Sequence, residues 1–75
     1  MDMTYKNCII NVITNELADG SGWTADLYIA KPEGREIVDT GYFSDHKFPS
    51  EQTAAIASVQ VGKRIIDGLI VPETL

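Results

Sequence analysis

Residues 6–14, KNCIINVIT, are apolar on both sides of any strand they form. A strand with one wet face alternates apolar and polar residues, because successive side chains point to opposite faces. Here Cys8, Ile10 and Val12 fall on one face, while Ile9 and Ile13 flank Asn11 on the other. The run is rich in β-branched residues, which fit a pleated surface better than a helix. A chain built around such a strand has two sheet faces to cover.

The remaining pattern sets how much cover is on hand. The polar cluster NELADGSG carries two turn signals, Asp19-Gly20 and Ser21-Gly22. WTADLYIAK, residues 23–31, then alternates cleanly: Trp23, Ala25, Leu27 and Ile29 share one face, and Thr24, Asp26, Tyr28 and Ala30 the other. KPEGR places Pro32 and Gly34 where a β-turn favours them, so a hairpin into a third strand, residues 35–43, is expected. Its register follows from charge. Turning Ile37 and Phe43 inward would also bury Asp39, so Val38, Thr40 and Tyr42 are expected to face the core.

From Ser50 onward the period becomes helical. Ser50 is suited to cap the first amides, and Glu51 sits where the helix dipole favours negative charge. Ala55, Val59, Gly62 and Ile66 recur on one face, widened by Ala54, Val61 and Ile65, with Thr53, Gln60, Arg64 and Asp67 on the solvent side. Gly62 costs helix propensity, which a close approach of helix to sheet would explain. Gly68 is suited to a helix C-cap, and Leu69 to Val71 open a short apolar tail over 69–75. The expected fold is α+β: a three-stranded antiparallel meander (about 6–14, 23–31 and 35–43) with one C-terminal helix (about 50–67) packed on one face. That is a single two-layer β-β-β-α domain over 1–75.

Size and charge narrow the functional classes. The formal charge is −5, from eleven acids against six bases, and the bases are scattered. Direct nucleic-acid binding normally needs a basic stripe that displaces counterions from phosphates, so it is not expected. A lone cysteine, no basic-then-apolar leader and no apolar run near membrane-spanning length point to a cytoplasmic protein.

Catalytic and metal-binding patterns are weak. His46 is the only histidine, and Asp39 and Asp45 are its nearest carboxylates in sequence, so no metal site is expected. Cys8 with His46 as nucleophile and base is disfavoured by the apolar strand around Cys8. GSG at residues 20–22 lacks the lysine and helix of a phosphate loop, and no spacing brings Asp26 and Glu36 together as a working carboxylate pair. Trp23 shares its face with Leu27 and Ile29 and reads as core rather than as a base-stacking platform. The chain is expected not to be an enzyme, to hold no cofactor and to take no small-molecule substrate.

One helix covers one side of the sheet. Ile9, Ile13, Tyr28, Ile37 and Phe43 are left on the other, unless residues 1–5 or 69–75 fold back as a lid. Apolar patches of this kind mark interaction surfaces. The leading expectation is therefore a non-catalytic protein-binding or regulatory domain that forms a homodimer through its open sheet face, since two-fold pairing makes one patch complementary to itself, or binds a protein partner there. The alternative is a small acidic inhibitor, of a phage anti-defence or immunity-like type, occupying a basic nucleic-acid-binding surface of its target. Asp19, Asp26, Glu33, Glu36, Asp39 and Asp45 would supply its charge.

The stretch FPSEQTAAIASVQVGKRIIDG, residues 48–68, leads through a phenylalanine and a capped turn into an alanine-rich helix. It ends in a Gly-x-Arg-x-Ile-Asp-Gly pattern formed by Gly62, Arg64, Ile66, Asp67 and Gly68. In this it resembles a group of small bacterial β-β-β-α domains of unknown function, a resemblance that implies the fold and no site residues. The topology is also similar to that of HicB-type antitoxin domains, whose glycine-leucine-proline-glycine-cysteine turn is missing here. An antitoxin-like partner is the second alternative.

Overall fold

The strand expected over 6–14 runs from Cys8 to Glu16 and is paired along both edges, in a sheet wider than the pattern implies. In the computed structural model, which describes residues 2–43 and 45–68, four strands precede the helix. They are β1 (Asp2–Tyr5), β2 (Cys8–Glu16), β3 (Trp23–Glu33) and β4 (Glu36–Phe43), followed by α1 (Glu51–Ile66). The strands pair antiparallel in chain order. The architecture is α+β, an open antiparallel sheet with one C-terminal helix.

The expected strand count of three is corrected to four. Tyr5 pairs with Cys8 across a two-residue turn in which Lys6 (φ 49°) and Asn7 (φ 66°) both take positive φ. That conformation matches the twist of a tight hairpin, and asparagine tolerates it well. Residues 2–5 therefore extend the sheet edge and do not fold over its open face as a lid. Met3 and Tyr5 pack against the core from the helix side, leaving Asp2 and Thr4 on the other. The other half of the lid idea, the tail over 69–75, lies outside the described residues.

The core is the face that alternation selects. Cys8, Ile10 and Val12 from β2 meet Ala25, Leu27 and Ile29 from β3 beneath Ala54 and Val59 of α1, and Ile10 is fully buried. Cross-strand pairs Leu27–Tyr42, Ile29–Thr40 and Lys31–Val38 set Val38, Thr40 and Tyr42 on the helix side of β4, as the cost of burying Asp39 requires. Yet α1 lies over β2 and β3, so Val38 stays 40% exposed.

Three features fix the helix in place. Trp23 and Phe48 exchange backbone hydrogen bonds of 2.8 Å each, pinning the β4–α1 connection to the start of β3. The Ser50 hydroxyl accepts the Thr53 N–H at 3.1 Å, and Glu51 in the first turn with Lys63 and Arg64 in the last complement the helix dipole. At Gly62 a Cβ would stand 3.2 Å from Ile10 Cδ1 and 3.3 Å from Leu27 Cδ1. Helix and sheet approach so closely there that a side chain would require Ile10 and Leu27 to give by a few tenths of an ångström. The buried line on α1 runs through Ala54, Val59 and Gly62, with Ala55 only half-buried.

Asp67 is exposed, as helical periodicity predicts, and from there it ties the helix end to the β1–β2 turn. The Tyr5 hydroxyl donates to its carboxylate at 2.8 Å, and Lys6 forms an ion pair with it. Lys63 Nζ lies 5.5 Å from the centre of the Tyr5 ring.

Candidate interaction surface

The sheet face turned away from α1 is assembled by strand alternation alone. Its rows, read across the strands, are Thr4–Ile9–Ala30–Asp39, Asp2–Asn11–Tyr28–Gly41 and Ile13–Asp26–Phe43, with Pro32–Ile37 towards the β3–β4 turn. All five apolar residues expected there are on it. Ile37 is 72% exposed and Phe43 59%, Ile9 and Ile13 are each nearly half exposed, and Tyr28 is half-buried. Tyr28 owes its partial cover to Phe43, whose ring meets it edge-on at 5.7 Å above Gly41. A Cβ on Gly41 would sit 2.8 Å from the Phe43 ring, so the missing side chain is what lets the two rings meet. A shallow cavity of about 310 Å³ opens between Ile9, Asn11, Ile13 and Tyr28, with Asp2 and Asp39 contributing from the outer strands.

The charge on this face has one sign. Asp2, Asp26 and Asp39 stand among the apolar groups, and none of the strand residues facing that way is lysine or arginine. Asp26 lies in a row between Ile13 and Phe43, with the Asn15 amide 3.5 Å from its carboxylate. Lys31 points to the helix side, and Lys6 is engaged with Asp67.

The six acids proposed as a single acidic surface do not converge. Asp26 and Asp39 are on the open face. Glu33 and Glu36 oppose each other beside the β3–β4 turn. Asp19 is folded into the β2–β3 turn, where the Ser21 N–H donates to it at 2.9 Å and Ser21 holds its carboxyl below the usual carboxylate range. Asp45 follows β4. Asp2 joins Asp26 and Asp39 instead, a position hidden from sequence reading because residues 2–5 carried no strand signal.

Among the described residues, the candidates for acid–base or nucleophilic chemistry named from the sequence lie apart. Cys8 is buried in the core near the Ala30 end of β3. His46 meets Phe48 edge-on, ring centres 4.7 Å apart, and Phe48 bridges to Trp23 at the opposite end of that strand. Asp26 and Glu36 lie on opposite faces, across from Phe43 and Glu33. Among the described residues no three histidine, cysteine or carboxylate groups gather as metal ligands, and no helix is long and apolar enough to cross a membrane. A second depression, of about 380 Å³ and lined by Leu27, Tyr42, His46, Phe48 and Val61, marks where α1 falls short of β4.

No protein-family model, curated protein or solved structure matches this chain. Any functional reading therefore stands on the fold and its surfaces.

Proposed function

We propose that the chain is a non-catalytic protein-binding domain and that the open sheet face is its docking surface. The observation that carries this reading is the coincidence, on one face, of exposed Ile9, Ile13, Ile37 and Phe43 with the carboxylates of Asp2, Asp26 and Asp39. Burying a large apolar side chain contributes about 1.5–3 kcal/mol, so these four represent a substantial reserve of binding energy. The interleaved acids select the partner. Stacking two copies face to face would press like charges together in a desolvated layer, which is unfavourable. A different protein that presents apolar side chains between lysines or arginines satisfies both features.

The acidic-inhibitor reading is a special case of the same surface. Three carboxylates around a greasy centre suit a target whose basic patch otherwise holds nucleic acid. The antitoxin-like reading rests on topology alone.

The test is capture of a partner from the native cell by the wild type, by Ile13→Lys and by Asp39→Lys. Both variants are expected to fold, since neither side chain belongs to the buried core. Both are expected to lose the partner, and wild-type capture is expected to weaken as salt rises. Retention of the same partner by both variants would refute the docking surface. If the partner also binds nucleic acid and this chain displaces it, the inhibitor reading is the one selected.

A further inference from the structure

We infer that the outer edge of β4 is a self-association site, pairing two copies antiparallel about Thr40 into one continuous sheet. The inference does not depend on the partner-docking reading, because edge pairing leaves the open faces of both copies uncovered.

The two sheet edges are unequal. β1 is a four-residue strand, and shortness is a usual protection of an edge. β4 runs for eight residues, EIVDTGYF, with no proline and no lysine, and no strand lies against its outer side among the described residues. Its charged residues are Glu36 and Asp39, so Asp39, in the middle of the outward-directed set, is the one guard any pairing there has to accommodate. The β3–β4 hairpin closes at Glu33–Glu36 around a two-residue loop, so that pair is hydrogen-bonded, and the pattern alternates from there. Glu36, Val38, Thr40 and Tyr42 therefore direct their backbone groups to β3. Ile37, Asp39, Gly41 and Phe43 direct theirs outward.

Symmetry and charge then choose the register. A two-fold axis normal to the sheet keeps each face on its own side, so residues that pair must share a face. Two registers satisfy this and overlap most of the strand. Centred on Asp39, the pairing sets that carboxylate against its own copy, and like charges directly opposite are destabilising. Centred on Thr40, it sets Asp39 against Gly41 of the second copy, which has no side chain to oppose it. The same register matches Thr40 with Thr40, Val38 with Tyr42 and Ile37 with Phe43. Threonine pairs and aromatic–β-branched pairs are favourable cross-strand combinations. Every outward N–H and C=O of Ile37, Asp39, Gly41 and Phe43 gains a partner, and the two most exposed apolar side chains of the strand become neighbours.

Cysteine scanning of the full chain reads the register directly. Non-hydrogen-bonded pairs have Cα atoms about 4.5 Å apart and hydrogen-bonded pairs about 5.5 Å, both within reach of a disulfide. Thr40→Cys is expected to yield a disulfide-linked dimer under mild oxidation, about tenfold faster than Asp39→Cys. Cys8 is buried on β2 and does not compete. In sedimentation at about 0.1 mM the wild type should show twice the 8.2 kDa chain mass. Thr40→Lys, which places like charges at the axis, should return it to a single chain with an unchanged circular dichroism spectrum. A wild type that stays at one chain mass would overturn the inference, as would Asp39→Cys cross-linking as fast as Thr40→Cys. Thr40 faces the helix side, so loss of the dimer in Thr40→Lys with the partner still captured separates this site from the open face.

Discussion

Asp67 shows how much a single carboxylate can organise at the end of a small fold. The hydrogen bond from Lys6, and after it the one from Tyr5, hold its carboxyl below its ordinary value of 3.8. Reciprocally, its carboxylate raises Lys6 and Tyr5 above their ordinary 10.5 and 10.0. The signs of these shifts fix the pH dependence. A depressed acid contributes stability that is fully present above its unfolded pKa and is lost as pH falls through the folded value. The raised lysine and phenol contribute stability that is fully present below their unfolded pKa values and is lost as pH rises through the folded ones. Stability from this cluster is therefore expected to be level from about pH 5 to 9 and to decline beyond both limits. Asp67→Asn should lower the urea midpoint at pH 7 and flatten the acid-side decline, as denaturation at pH 7 and pH 3 will show. A steeper acid decline in the variant would contradict the assignment. Helical periodicity correctly puts Asp67 on the exposed face, but it carries no information about Tyr5 and Lys6, which meet it from a turn far earlier in the chain.

At the scale of elements, what could be read from sequence follows the strength of the local signal. β3 is legible because the four inward positions from Trp23 to Ile29 admit one register, and α1 because cap, dipole charges and period agree. The face chosen for β4 followed from a cost: Ile37 and Phe43 could be buried only by burying Asp39 as well. β1 was missed. Its four residues are too few to show a period, and its turn lacks the Asn-Gly or Asp-Gly pair that usually announces one. Only Asn7 hinted at it, and that residue carries the element. At φ 66° its asparagine side chain is well tolerated, whereas most others lose about 1 kcal/mol in the left-handed region. Asn7→Ala should thus destabilise the chain by about 1 kcal/mol, with Asn7→Gly near neutral, in urea titrations of the two variants. If the alanine variant is as stable as wild type, β1 is not held by this turn.

At the scale of the whole molecule, the sheet presents more apolar surface than one helix can hide. The sixteen-residue helix covers β2 and β3, and among the described residues the fourth strand enlarges the open face rather than closing it. Stability and function should therefore separate across β2, whose successive residues face opposite ways. Ile10 is fully enclosed beneath α1, and Ile10→Ala removes buried methyl groups at a cost of about 2–5 kcal/mol. Ile9 and Ile13 are each nearly half exposed, and threonine keeps their preference for a strand. Ile9→Thr and Ile13→Thr should each change the unfolding free energy by no more than about 0.5–1 kcal/mol. These substitutions should nevertheless weaken partner capture, because what they remove is area that becomes buried only in a complex. Urea titration and capture measured on the same three variants would show whether the two effects divide at Ile10. A loss of several kcal/mol at Ile9 or Ile13 would mean that the chain itself buries the face, leaving no reserve of apolar area for a partner.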